Sequence, residues 1–118
     1  MKLGVYSNAK KMNAKERQHI LDVKQLGCYV CNLHGRYIPA EAHHITLSGR
    51  RLGHFYTIPL CFNHHNQQTP LGYGESVHNG TKRFEQKYGT QKHILSITNQ
   101  KIYGNPLGMC DKKIIDLL

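Results

Sequence analysis

Glu41-Ala42-His43-His44-Ile45, followed after a Gly/Arg-rich stretch by Leu60-Cys61-Phe62-Asn63-His64-His65, decides how this chain is read. Each segment carries two adjacent imidazoles, the first pair entering an apolar-polar alternation and the second just past a cysteine. Imidazole changes charge near neutral pH and is the commonest protein ligand for metals. Four imidazoles in so short a span therefore point to metal chemistry.

Around these segments, Ala40 to Leu47 reads as a strand and Gly53 to Leu60 as its hairpin partner, joined through the polar Ser48-Gly49-Arg50-Arg51-Leu52. Arg50 and Arg51 would project toward whatever the hairpin faces, as phosphate clamps or as a solvated loop. From Cys61 the chain is expected to turn helical. Residues three or four apart share a helical face, so either His64 or His65 can act with Cys61 by spacing alone. A rotation of about 100° per residue turns the other imidazole elsewhere.

On the N-terminal side, Cys28-Tyr29-Val30-Cys31 reads as a zinc knuckle, two thiolates converging from a tight turn on one tetrahedral ion. His34 is a turn residue or a spare ligand. Asn13-Ala14-Lys15-Glu16 has the form of a capping box that starts a helix with Ile20, Leu21, Val23 and Leu26 on its apolar flank and Gly27 as its left-handed stop. Residues 1–12, with Lys10 and Lys11, read as a basic arm preceding a single domain over 13–118.

On the C-terminal side, Gln67 to Gly80 is a long Gly/Pro/Asn-rich loop containing His78. A basic helix with Lys82, Arg83 and inward Phe84 is expected from an N-cap at Thr81 to about Gly89. A further segment from Thr90 places Ile94, Leu95, Ile97 and Ile102 inward. After the break at Gly104–Gly108, the closing Ile114, Ile115, Leu117 and Leu118 form a docking segment or a partner-binding tail, and Cys110 is a buried or free thiol.

Composition narrows the class. A chain of 118 residues is most simply one domain with a modest core, for which a metal staple is useful. Sixteen Lys and Arg against seven acids, a net charge of +9, favour a polyanionic partner, nucleic acid foremost. Mean hydropathy is -0.54, and no apolar run approaches the roughly 20 residues of a membrane span. Met1–Tyr6 lacks a signal-peptide core, so the expected location is the cytoplasm, where a Cys-x-x-Cys pair near His is more often a zinc site than a disulfide.

Together, Cys28-x-x-Cys31, Glu41-Ala42-His43-His44-Ile45 and Leu60-Cys61-x-x-His64-His65 resemble the HNH (ββα-metal) nucleases in their zinc-stabilised form. With Gly49-Arg50, His54, Ile58-Pro59, Val77-His78 and Gly80-x-Lys82-x-Phe84 added, the set is similar to the phage RecA-dependent nuclease family Ref, over about residues 27–85. The resemblance implies an α+β domain with a treble-clef-like ββα core, in which Cys28, Cys31, Cys61 and His64 bind structural Zn²⁺. It implies that His43 and His65 hold a catalytic Mg²⁺ or other divalent ion and that His44 is the general base, leaving 5′-phosphate and 3′-hydroxyl ends. His78 is a third ligand, a phosphate contact or an ordinary loop residue. The motif's middle Asn has no match: Tyr56 or Thr57 stands near its place, and His54 is the nearest polar candidate for orienting His44.

The resulting expectation is a metal-dependent DNA endonuclease acting on RecA-bound DNA in phage recombination, in the cytoplasm of a bacterial host. Lys10, Lys11, Arg50, Arg51, Lys82 and Arg83 would grip the DNA backbone. The alternatives are a non-catalytic zinc module that only binds DNA and a junction-resolving nuclease.

Overall fold

A computed structural model describes residues 11–65, 76–78 and 80–118; Lys10, most of the basic arm and most of the Gln67–Gly80 loop lie outside them. The capping box forms: the Asn13 side chain accepts from Glu16 N at 2.8 Å, and the Glu16 carboxylate accepts from Asn13 N at 2.9 Å. It starts α1 (Ala14–Gln25), which buries His19, Ile20 and Val23. Gly27 follows at φ 77°, and a Cβ there would lie 2.6 Å from the Tyr37 ring, so conformation and close approach both require glycine.

Cys28 then caps a short helix, α2 (Tyr29–Leu33), so the knuckle is a helical turn rather than a tight reverse turn. His34 bonds back to Val30 O at 2.9 Å, the role of a turn residue.

The expected single hairpin divides in two. β1 (Glu41–His44) pairs antiparallel with β4 (Thr57–Leu60), His43 opposite Ile58 and His44 opposite Thr57. β2 (Thr46–Leu47) pairs instead with β3 (Arg50–Arg51). Ser48 at φ 53° and Gly49 at φ 79° make the two-residue turn that closes this ribbon. Arg50 and Arg51 are thus strand residues, not loop residues. Ile45 is the pivot: its N–H donates to Tyr56 O at 2.9 Å and its carbonyl accepts from Leu52 N at 3.2 Å, joining the two ribbons.

β4 is buried along its whole length, with α1, α2 and a later helix packed on it. It leads directly into α3 (Phe62–His65). The basic helix is α4 (Thr81–Tyr88), capped by Gly80 rather than Thr81, whose hydroxyl donates to Val77 O at 3.1 Å.

Thr90 caps α5 (Gln91–Tyr103), accepting from His93 N at 3.0 Å. Its inward face is Ile94, Leu95, Thr98 and Asn99; Ile97 and Ile102 are only half-buried. The shift has a polar cause: Thr98 donates to Ile94 O at 2.8 Å, and Asn99 donates to Pro106 O at 3.2 Å and Leu107 O at 3.3 Å, fastening the following loop.

In the closing α6 (Lys112–Ile115) and after it, Ile114, Ile115 and Leu118 pack on the core while Leu117 points out, which is a docked segment. Cys110 is half-buried, with its thiol donating to Phe55 O at 3.1 Å. The architecture is α+β, and no helix among the described residues is long and apolar enough to cross a membrane.

Candidate metal centres

The N-cap and first turn of α2 and the β4–α3 junction bring Cys28, Cys31, Cys61 and His64 together, all buried. Cys61 Sγ lies 3.2 Å from His64 Nδ1, Cys28 Sγ 3.5 Å and Cys31 Sγ 3.7 Å from the same nitrogen, and Cys31 and Cys61 Sγ are 3.9 Å apart. Ligands about 2.3 Å (S) and 2.0 Å (N) from a tetrahedral ion would stand roughly 3.5–3.8 Å from one another. The cluster is close to that shape.

Its electrostatics also call for a cation. The Cys28 thiol and, beyond it, His64 hydrogen-bond the Cys61 sulfur and hold its pKa near 3, while burial opposes them. Cys28 is pushed strongly upward by the same bond and by burial, and Cys31 upward chiefly by burial. A divalent ion at their centre would favour the thiolate form of all three sulfurs.

The second gathering is His43 from β1, His65 from α3 and His78, whose ligand nitrogens lie within 4.8 Å of one another. Ring centroids are 4.9 Å (His43–His65), 5.1 Å (His43–His78) and 4.7 Å (His65–His78) apart. Two backbone bonds, Val77 N to His64 O at 2.8 Å and His78 N to His65 O at 3.1 Å, lay the His78 segment along α3. His43 is buried, His65 half-buried and His78 exposed, so the group opens to solvent on one side.

The residues fit a metal ion on one specific observation. His43 Nδ1 is buried with no hydrogen-bond partner, an arrangement that costs roughly 1–3 kcal/mol unless something accepts its lone pair. Burial holds His43 down at about 4 and also lowers His78, so both are neutral at physiological pH.

His44 faces the other way along β1, as strand alternation requires. Its Nε2 is 3.0 Å from His54 Nδ1, so His54 does meet it. Burial first, then the Arg51 cation and the His54 and His65 rings, push His44 down to about 4.

Arg50 and Arg51 lie exposed on β3; Lys82 and Arg83 are exposed on α4, and Lys11 is exposed just before α1. Tyr56, one of the residues near the place of the missing Asn, is buried and accepts from Asp111 N at 2.8 Å through its hydroxyl, which ties it to α6 rather than to His44.

Two polar residues touching the second centre carry no role in the sequence reading. His65 Nδ1 is 2.8 Å from Glu41 Oε1, and His43 Nε2 is 2.8 Å from Gln91 Oε1. Glu41 had a signal, since it stands two residues before His43 on the same strand face. Gln91 had none: it is remote in sequence and chemically unremarkable.

No curated protein and no solved structure gives a significant match to the chain. A family model does, the one described as recombination enhancement, RecA-dependent nuclease, and it spans residues 12–103, which includes both centres and Gln91. On a match covering most of its length, the chain belongs to the RecA-dependent nuclease family.

Proposed function

We propose that the protein is an HNH-type, metal-dependent endonuclease hydrolysing DNA phosphodiesters, with β1, β4 and α3 as its ββα unit. The observation that carries the reading is the histidine triad with its orphaned His43 Nδ1, placed one residue from the paired His44. His43, His65 and His78 would hold a divalent ion, and Cys28, Cys31, Cys61 and His64 structural zinc. When bound, the catalytic ion supplies positive charge to the scissile phosphate and the leaving 3′ oxygen. Three imidazoles without a carboxylate suit a borderline ion such as Zn²⁺ or Ni²⁺; Mn²⁺ is a hard ion but accepts nitrogen ligands more readily than Mg²⁺.

In this reading His44 donates Nε2–H to His54 Nδ1, which leaves the lone pair of His44 Nδ1 to take a proton from the attacking water. His54 thus fills the place of the missing Asn and accepts from the imidazolium that forms. A DNA phosphate against Arg51 offsets one of the charges that depress His44, raising its basicity when substrate is present. Arg50, Lys82, Arg83 and the Lys10–Lys11 pair would grip the backbone without reading sequence, so binding should weaken steeply with salt.

The test is cleavage of supercoiled plasmid, of branched DNA and of RecA-coated DNA paired with a duplex, each with Mn²⁺, with Mg²⁺ and with chelator. Metal-dependent nicking, greatest on the RecA-paired substrate, is expected. Binding without cleavage under every condition would leave a DNA-binding zinc module, and cleavage confined to branched DNA a junction-resolving enzyme.

A further inference from the structure

The triad shows an asymmetry in which ring nitrogens are occupied. His43 has Nε2 engaged by Gln91 Oε1 at 2.8 Å, while its Nδ1 is buried and unpartnered. His65 is met on the other ring nitrogen: its Nδ1 faces Glu41 Oε1 at 2.8 Å. An amide oxygen and a carboxylate oxygen only accept, so each fixes the proton on the nitrogen it faces.

We infer that Gln91 and Glu41 are positioning residues that lock opposite tautomers, so that His43 presents Nδ1 and His65 presents Nε2 to the same ion. The inference rests on the metal reading above and extends it to side chains outside the ligand set.

Gln91 is well placed for such a role. Its backbone N–H donates to Glu85 Oε2 at 2.7 Å, and it is the first residue of α5, immediately after the Thr90 cap. The last turns of α4 and the start of α5 therefore hold its side chain against β1. The neutral amide fixes a tautomer without adding charge beside the buried His43. Glu41, nearly half exposed, sets a carboxylate oxygen 2.8 Å from His65 Nδ1 and so orients that ring. This also explains how a helix remote from the three ligands bears on their geometry.

The experiment uses the zinc-loaded full chain. Long-range ¹H–¹⁵N spectra would read the histidine tautomers, and titration with Mn²⁺ the affinity of the triad, in wild type, Gln91→Leu and Gln91→Glu. Expected are an Nε2–H tautomer at His43 and an Nδ1–H tautomer at His65 in the wild type. Gln91→Leu should bind Mn²⁺ about 10- to 100-fold more weakly, with its zinc content and melting temperature retained, and Gln91→Glu, which keeps an acceptor, should recover most of the loss. An Nδ1–H tautomer at His43, or unchanged Mn²⁺ affinity in Gln91→Leu, would overturn the inference. Loss of zinc or of the fold in Gln91→Leu, with no recovery in Gln91→Glu, would likewise mark Gln91 as merely structural. Failure of the wild type itself to bind Mn²⁺ would sink the metal reading, and this inference with it, even if the tautomers are as expected.

Discussion

The two histidine-bearing clusters are neighbours in sequence and opposites in environment. Cys28, Cys31, Cys61 and His64 are all buried, with their sulfur and nitrogen atoms gathered together. His43, His65 and His78 run from buried to exposed, with polar side chains behind them and an open side in front. A closed four-ligand set suits a structural ion, and a three-ligand set with an open position suits chemistry. One helical turn makes the division: His64 and His65 are adjacent, yet α3 sends one inward to the thiols and the other to β1.

The difference is sharpest under mutation. Cys61→Ser should abolish zinc binding and with it the folded domain, because the free energy of a structural zinc site, on the order of 10 kcal/mol, is as large as the whole stability of a domain this size. Metal content and a thermal melt check this. A zinc-free variant that melts like the wild type would show that the closed cluster is not a staple.

His54→Ala, by contrast, should leave zinc content and melting temperature in place and slow nicking roughly 10- to 100-fold, since it removes only the partner of His44 Nε2. An unchanged rate would return the question of what orients His44.

The smallest effect concerns a third histidine environment, remote from both clusters. His19 is buried against Phe55 and Tyr103, its Nδ1 2.6 Å from the Tyr103 hydroxyl. Burial lowers its pKa from 6.5, against an upward pull from Asp22. As pH falls below the unfolded value near 6.5, the unfolded chain takes up the proton before the folded one does, so stability is lost with falling pH until folded His19 also titrates. His19→Gln should therefore show a shallower fall in melting temperature between pH 7 and 5 than the wild type, by a few degrees at most. An equal slope would mean that His19 contributes nothing to the acid sensitivity.

What could be read in the sequence follows the same division. Thiols and imidazoles announce metal chemistry by identity, so the residues that gather in the two clusters are legible as candidates, as is the capping box at Asn13; their division into two sets comes from the resemblance. The helix at Cys61 was legible from spacing, although spacing could not choose between His64 and His65. The split of the long hairpin is not legible, because Ser48-Gly49 reads as part of a five-residue polar loop, whereas two successive positive-φ residues close a tighter turn. His19 lies four residues before Val23 and one before Ile20, which places it on the buried face of α1, but a histidine in a polar-looking helix gives little warning. Gln91 was out of reach, since only the packing of α5 against β1 gives an ordinary amide its partner.

The most direct test of the division into a structural and a working centre is the plasmid-nicking rate of His44→Ala beside the wild type at saturating Mn²⁺, with zinc measured in both. Loss of at least about 100-fold in rate at one zinc per chain in each protein is the expected result. A variant that keeps its zinc and cuts as fast as the wild type would contradict the assignment of His44 as the base.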